Sequence, residues 1–180
     1  LGLTKVFMPE FDVMMQTPQN NKHHMYSVGE HTIHTLMNVR ADKVLRLTML
    51  LHDVAKPVCI TTDEHGQNHF KKHPAVGADM AKKILRRLKF DNKTIDICCT
   101  LVREHDDRPV ITQSNVRRAM SRIGVDLFPL LFEVKRADML GQSLYKRDEK
   151  MAYIDEYERV YNDILAQNQC VSKKDMKING

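Results

Sequence analysis

His52 and Asp53 stand side by side in the run LTMLLHDVAKP, residues 47–57, where an almost wholly apolar segment ends at Lys56 and Pro57. A segment apolar on most of its circumference belongs in the centre of a core. An imidazole and a carboxylate at its end are costly to bury unless something compensates them. A divalent cation does so: both groups are ligands, and a helix C-terminus carries partial negative charge.

Such a cation needs further ligands, and other segments carry ligand-type residues on faces that ought to be apolar. Stepping a hundred degrees per residue from Val28, Thr32, Thr35, Leu36 and Val39 share one side. His31 falls among them, whereas His34 points to the edge. In 91–106, Ile95, Cys98, Cys99 and Val102 make a stripe that leads to His105, with Asp106 beside it. In 126–141, Leu127, Leu131, Val134 and Asp138 follow a 4-3-4 spacing, so Asp138 sits where a Leu or Ile belongs. His73 precedes Pro74 at the start of another helix.

The set His31, His52, Asp53 and Asp138 offers two imidazoles and two carboxylates. That mixture suits Mn, Fe, Co, Ni or Mg better than a structural zinc. His73 and His105 either hold a second cation, with Asp53 bridging, or contact only substrate or solvent. A metal held this way with open positions activates water and polarises a phosphoryl oxygen. Lys56, one turn past Asp53, is placed to meet a phosphate. The candidate catalytic residues are therefore Asp53, Lys56, His73 and His105. Lys56, Arg103 and Arg108 are the candidate substrate contacts, Arg103 and Arg108 because they flank His105-Asp106. His65 and His69 are read as rim residues, His34 as surface, and His23 and His24 as outside the site.

The elements that must position these residues are helical. A short helix lies around 10–16, followed by a turn-rich run through 17–21. Ser27 with Glu30 three residues on forms a capping box for a helix to about Arg40. Asp42 caps the central helix, expected to end near Ala55. A connector, 57–70, turns at 61–66 and folds into at most a small hairpin. Pro74 starts a helix to about Lys89, and Asp91 caps one to Asp106. Ser114 is expected to cap a helix that Gly124 ends, and Asp126 to cap the helix carrying Asp138. A last helix, 147–168, presents Met151, Ile154, Tyr157, Tyr161, Ile164 and Leu165 inward.

The 180 residues fill one domain with a sizeable core. Trp is absent and Met is abundant, at 11, in keeping with an all-α fold. No apolar run is long enough to cross a bilayer, and no signal peptide opens the chain. Cys59, Cys98, Cys99 and Cys170 lack any CxxC spacing and read as free thiols of a reducing cytoplasm. The net charge of +5 favours an anionic partner. Lys82, Lys83, Arg86, Arg87 and Lys89 make one basic face, and Arg117, Arg118 and Arg122 another; such faces can track a nucleic-acid backbone. No Gly-rich phosphate loop is present, nor the Gly-Ser motif with paired Asp residues that nucleotidyl transfer needs.

The order His31 … His52-Asp53 … Asp138 resembles the HD-domain superfamily of metal-dependent phosphohydrolases. Four stretches resemble, more narrowly, the middle of bacterial tRNA CCA-adding enzymes: MPEFDVMMQTPQNNKHHMYSVGEHT, LTMLLHDVAKP, HFKKHPAVGADMAKKILRRLKFDN and EVKRADMLGQS. The resemblance implies an HD-domain helical bundle over 23–168. It also implies a lead-in, 1–22, from a preceding catalytic head, and the start of a linker, 169–180, into a C-terminal tail. CCA addition is then beyond these residues alone. The implied activity is that of a phosphatase, nucleotidase or 2′,3′-cyclic phosphodiesterase on nucleotides or RNA 3′ ends, with one or two divalent cations. The complete tetrad argues for activity. The alternative is a tRNA-binding module without turnover, its basic helices on the tRNA backbone. An HD-type di-iron oxygenase would need redox-active iron in both metal sites. Oligomeric state is left open.

Overall fold

The computed structural model describes residues 2–23 and 25–167; His24, Cys170 and the expected linker at 169–180 lie outside the described residues. The fold is all-α with one two-stranded hairpin, as expected from the sequence. Helices α1 (Thr4–Phe7) and α2 (Pro9–Gln16) precede α3 (Val28–Met37), which Ser27 and Glu30 open with a complete capping box. Gly29 lets α3 press on α2, since a Cβ there would fall on the Met15 side chain and backbone.

The central helix α4 (Lys43–Leu51) starts at an Asp42 cap but ends four residues before Ala55. Two i→i+3 hydrogen bonds, Val54 N–H to Leu51 O and Lys56 N–H to Asp53 O, tighten the chain there. Pro57 lacks the N–H that Asp53 O would accept in a continuous helix. A short helix, α5 (Lys56–Cys59), follows. The result places His52 and Asp53 in a buried turn at the centre of the molecule, with 0 and 1% of their surface exposed.

The connector forms the hairpin: β1 (Thr61–Thr62) pairs antiparallel with β2 (Asn68–His69). Helix α6 (His73–Arg87) and α7 (Asn92–Glu104), the latter capped by Asp91, form an adjacent pair. Helix α8 (Gln113–Ile123) is capped by Thr112, which accepts from Asn115 N–H, rather than by Ser114. A 3-10 turn (Val125–Leu127) absorbs Asp126, so Leu127 stands at the N-cap of α9 (Phe128–Gly141) and supplies no side-chain cap. Pro129 removes one of the N–H groups that would need one. Helix α10 (Arg147–Ala166) buries Ile154, Tyr157, Tyr161 and Ile164, but Leu165 is exposed, one position past the inner stripe.

Two apolar clusters hold the helices. One, from α2, α3, α6 and α7, includes Met14, Val28, Leu85 and Val102. The other joins α4, α8, α9 and α10 around Phe128 and Phe132, whose ring centroids lie 5.1–5.8 Å from each other and from those of Tyr157 and Tyr161. The buried His52-Asp53 turn carries the chain from α4 to α5, and α4 contributes to both clusters. Among the described residues no helix is long and apolar enough to cross a membrane.

Candidate metal centre

Four imidazoles and two carboxylates converge on the turn after α4. His31 comes from α3, His52 and Asp53 from the turn, His73 from the first residue of α6, His105 from just past α7, and Asp138 from α9. All six are buried. His31, His52 and Asp53 can each place a ligand atom within 4.8 Å of the others, and Asp53, His73 and His105 can do the same.

The backbone fixes how each ring is presented. His31 Nδ1 lies 3.1 Å from Gly141 O, and His52 Nδ1 2.7 Å from Met49 O. His73 Nδ1 is 2.8 Å from Phe70 O, and His105 Nδ1 2.7 Å from Val102 O. A carbonyl only accepts, so each Nδ1 carries a proton and each Nε2 is turned inward, where it holds a lone pair, a second proton or a metal. This is how metal-binding histidines are held by their outer partners.

The Nε2 atoms then face one another. The Nε2 atoms of His31 and His52 are 3.3 Å apart, as are those of His73 and His105. His31 Nε2 also lies 2.9 Å from Asp138 Oδ1. An imidazole whose Nδ1–H is held by a carbonyl can meet a carboxylate at Nε2 only by taking a second proton or by sharing a cation.

Asp53 stands between the two sets. Its Oδ2 is 3.2 Å from His52 and 3.6 Å from His31, while its Oδ1 is 3.3 Å from His73 and 3.7 Å from His105. Lys56 Nζ lies 2.8 Å from Oδ2 without hydrogen-bond geometry, and both carboxylate oxygens are buried with no hydrogen bond. A buried carboxylate left so is costly, and a cation on each oxygen removes the cost. The residues present therefore fit a divalent metal.

The electrostatics show the same demand for positive charge. Burial opposes a charge on His52, yet the Asp53 and Asp138 carboxylates overcome it and lift His52 to about 10. Burial also acts to raise both carboxyls, but His52 and Lys56 hold Asp53 well below the usual carboxylate range, and His31 and His52 hold Asp138 there. Burial, then the charge of His52, pushes His105 down to about 4, so its Nε2 keeps a free lone pair at neutral pH.

The six ligand-type residues read from the sequence thus come together. Lys56 joins them, but it is buried and donates to Gln19 Oε1 at 2.7 Å rather than capping a helix end in solvent. Arg108 lines the cleft, paired with Asp106 at 3.3 Å. Arg103 does not line it; it turns to Asp79 across the outside of α6 and α7 at 3.4 Å. His23, expected outside, lines the cleft, because Ser143 N–H donates to His23 O at 2.8 Å and ties this loop to the end of α9. His69 is on the rim, bonded to Asp63 at 2.8 Å, and His34 is half-buried, stacked on Tyr26 at 4.2 Å. Of the second basic face, Arg122 is held by Glu104 at 2.9 Å and Arg117 by Gln113.

Three residues that sequence reasoning missed support the centre. Gln19 orients Lys56. Gln142 donates to Asp138 Oδ2 at 3.0 Å. Lys135, buried on α9, donates to Glu104 O, His105 O and Asp107 O at 3.1, 2.9 and 2.6 Å, and closes the end of α7 beneath His105. Burial lowers its ammonium to about 8. A signal existed for Lys135 alone: it follows Val134 on the buried side of an apolar helix.

The cleft above the centre holds about 500 Å³ and is walled by α6, the hairpin and the loop at 18–23. It mixes the metal-ligand residues with cations and amides, among them Lys56, Lys72, Asn21 and Asn68.

A family model described as HD domain matches residues 22–160. The chain is similar to the CC-adding tRNA nucleotidyltransferase of Thermus thermophilus, 31% identical over 98% of this chain and 41% of that protein. It is similar to the A-adding tRNA nucleotidyltransferase of Deinococcus radiodurans, 32% identical over 77% of this chain and 33% of that protein. A bifunctional uridylyltransferase/uridylyl-removing enzyme of Ruegeria pomeroyi is 28% identical over 58% of this chain and 13% of that protein. The chain spans less than half the length of each of these relatives.

Proposed function

The chain belongs to the HD domain family, and from that premise we propose that it is a divalent-metal-dependent phosphohydrolase acting on nucleotides or RNA 3′ ends. The observation that carries this reading is the set of four Nδ1–carbonyl contacts, which turn four Nε2 atoms inward beside two carboxylates in a buried centre open to a cleft. His31, His52, Asp53 and Asp138 would hold one cation, and Asp53, His73 and His105 a second. Bound there, divalent cations supply Lewis acidity toward a phosphoryl oxygen and a nucleophilic water at neutral pH.

The chain's own groups complete the site. Lys56, held by Gln19 and Asp53 at the floor of the cleft, offers a fixed positive charge to a phosphate oxygen. Arg108 offers a second from the rim. Lys135 keeps His105 in position through the backbone, and Gln142 does so for Asp138.

The test is hydrolysis of 2′,3′-cyclic AMP by metal-stripped protein, with Mn, Ni, Co and Mg restored in turn and Asp53→Ala as control. Turnover that requires metal and disappears in the variant supports the proposal. Folded protein that turns over nothing with any metal refutes it. A tRNA-holding module without turnover then becomes the better reading, favoured by the exposed Lys82, Lys83 and Arg86 on α6 and by the tRNA nucleotidyltransferases among the relatives.

A further inference from the structure

A second cavity of about 340 Å³ adjoins the first on the α10 side. The two share His23, His105, Arg108, Asp138 and Gln142. The metal-ligand residues His105 and Asp138 therefore form a common wall, so a group at the centre can extend into either cavity. The second is smaller, and Met139, Tyr153 and Ile154 form its apolar side.

Its polar side is cationic. Arg108, Lys146 and Lys150 line it besides Lys135, whose ammonium is taken up by three carbonyls, and Glu149 is its carboxylate apart from the metal-ligand Asp138. Lys146 reaches Glu149 at 3.1 Å, and Arg108 reaches Asp106 at 3.3 Å. Lys150 has no carboxylate partner among the described residues; it donates to Gln142 Oε1 at 2.7 Å, on the side chain whose amide nitrogen holds Asp138. Burial, then repulsion from Arg108, depresses its ammonium. The same three cations bear on His23, where burial first and then Lys150, Arg108 and Lys146 depress the imidazole. His23 Nδ1 is itself buried and finds no hydrogen-bond partner among the described residues. Like charges crowded at a half-buried cavity beside an unpartnered imidazole nitrogen make an arrangement that an anion relieves.

We propose that this cavity is a second phosphate subsite, with Lys150 as its central contact, Arg108 and Lys146 at its edge and His23 in the shared wall. The substrate class is then a nucleotide that carries a further phosphate beyond the one presented to the metal centre, as an oligonucleotide end or a nucleoside bisphosphate does. The inference rests on the phosphohydrolase reading for the position of the first phosphate. The apolar side formed by Met139, Tyr153 and Ile154 suits the ribose and base between them.

The test compares binding of adenosine 3′,5′-bisphosphate and AMP to Mn-loaded protein by calorimetry, in the native chain and in Lys150→Gln and Lys146→Gln. The bisphosphate should bind at least tenfold more tightly than AMP. Lys150→Gln should bring that ratio below threefold, with an unchanged urea midpoint to show that the fold is kept. Lys146→Gln should lower the ratio less. Equal affinities, a preference that survives Lys150→Gln, or no measurable binding of either ligand overturns the subsite. Hydrolysis is read separately as phosphate release with the Asp53→Ala control, so loss of turnover with the binding preference intact sinks the catalytic reading and not this one.

Discussion

Gly141→Ala tests the centre through packing rather than through a ligand. Gly141 ends α9, and its carbonyl accepts the Nδ1–H of His31. A Cβ built there would lie 2.6 Å from Thr35 Cγ2 and 3.2 Å from His31 Cε1 and Nδ1. Neither neighbour can retreat easily. Thr35 is fully buried and β-branched, and its hydroxyl donates to Thr32 O at 2.8 Å. His31 is held between Gly141 O and Asp138. One inserted methyl in such a site costs about 1–3 kcal/mol, and about 1.4 kcal/mol corresponds to a tenfold change in an equilibrium constant. The metal-free variant should therefore lose about 1–3 kcal/mol in urea unfolding followed by circular dichroism. Because part of the strain falls on the His31 ring, Mn affinity by chelator competition should drop about tenfold or more, using the same conversion. Gly77→Ala is the control, since its Cβ would meet Val102 Cγ1 at 3.4 Å and His52 O at 3.6 Å, ordinary contacts. With the helix preference of Ala over Gly, about 0.8–1 kcal/mol, that variant should be neutral or slightly more stable, with metal affinity kept. Native stability and native Mn affinity in Gly141→Ala would refute the account of how His31 is positioned.

Metal binding should release protons. His52, lifted to about 10 by the carboxylates, loses its second proton to the buffer when a cation takes its Nε2, so calorimetry near pH 7.5 in two buffers of different ionisation enthalpy should record about one proton per first cation; no buffer dependence would contradict this. For metal-free protein the sign follows from the same shifts. His52 binds its proton more tightly folded than at its ordinary 6.5, so its contribution is complete below 6.5 and lost as pH climbs toward 10, while Asp53 and Asp138 contribute above the usual carboxylate range and lose it on acidification. Urea midpoints across pH should thus fall at both ends, and a midpoint rising between pH 7 and 10 would count against it. Lys135→Met should cost about 2–4 kcal/mol, since it strips the donor from two buried carbonyls and a part-buried third, and should weaken metal binding through His105; native stability would show that water replaces the ammonium. Phe132→Ala, in the aromatic cluster, should cost about 3–5 kcal/mol in urea unfolding while leaving Mn affinity intact if the protein remains folded.

Much of the site was legible in the sequence because a ligand on a core face breaks a pattern. His31 interrupts the stripe from Val28 to Val39, Asp138 replaces an apolar residue in a 4-3-4 spacing, and His52-Asp53 closes an almost wholly apolar run. Caps at Ser27, Asp42 and Asp91 were equally readable, since each satisfies N–H groups only a few residues away. Boundaries set by competition were not. Asp126 lost its cap to a 3-10 turn, Ser114 to Thr112, and α4 stopped at Leu51 because local i→i+3 bonds and Pro57 outweighed its apolar periodicity.

Tertiary structure alone decided the rest. Whether Lys56 meets solvent or Asp53 depends on Gln19, 37 residues away. Whether His23 belongs to the site depends on a bond from Ser143. The Nε2 atoms of the four imidazoles point inward because four carbonyls lie behind their Nδ1 atoms, and the carbonyl behind His31 belongs to Gly141, 110 residues on. Residue type and spacing say which side chains can bind a cation; the long-range packing of α3, α6, α7 and α9 around one buried turn determines that their ligand atoms meet.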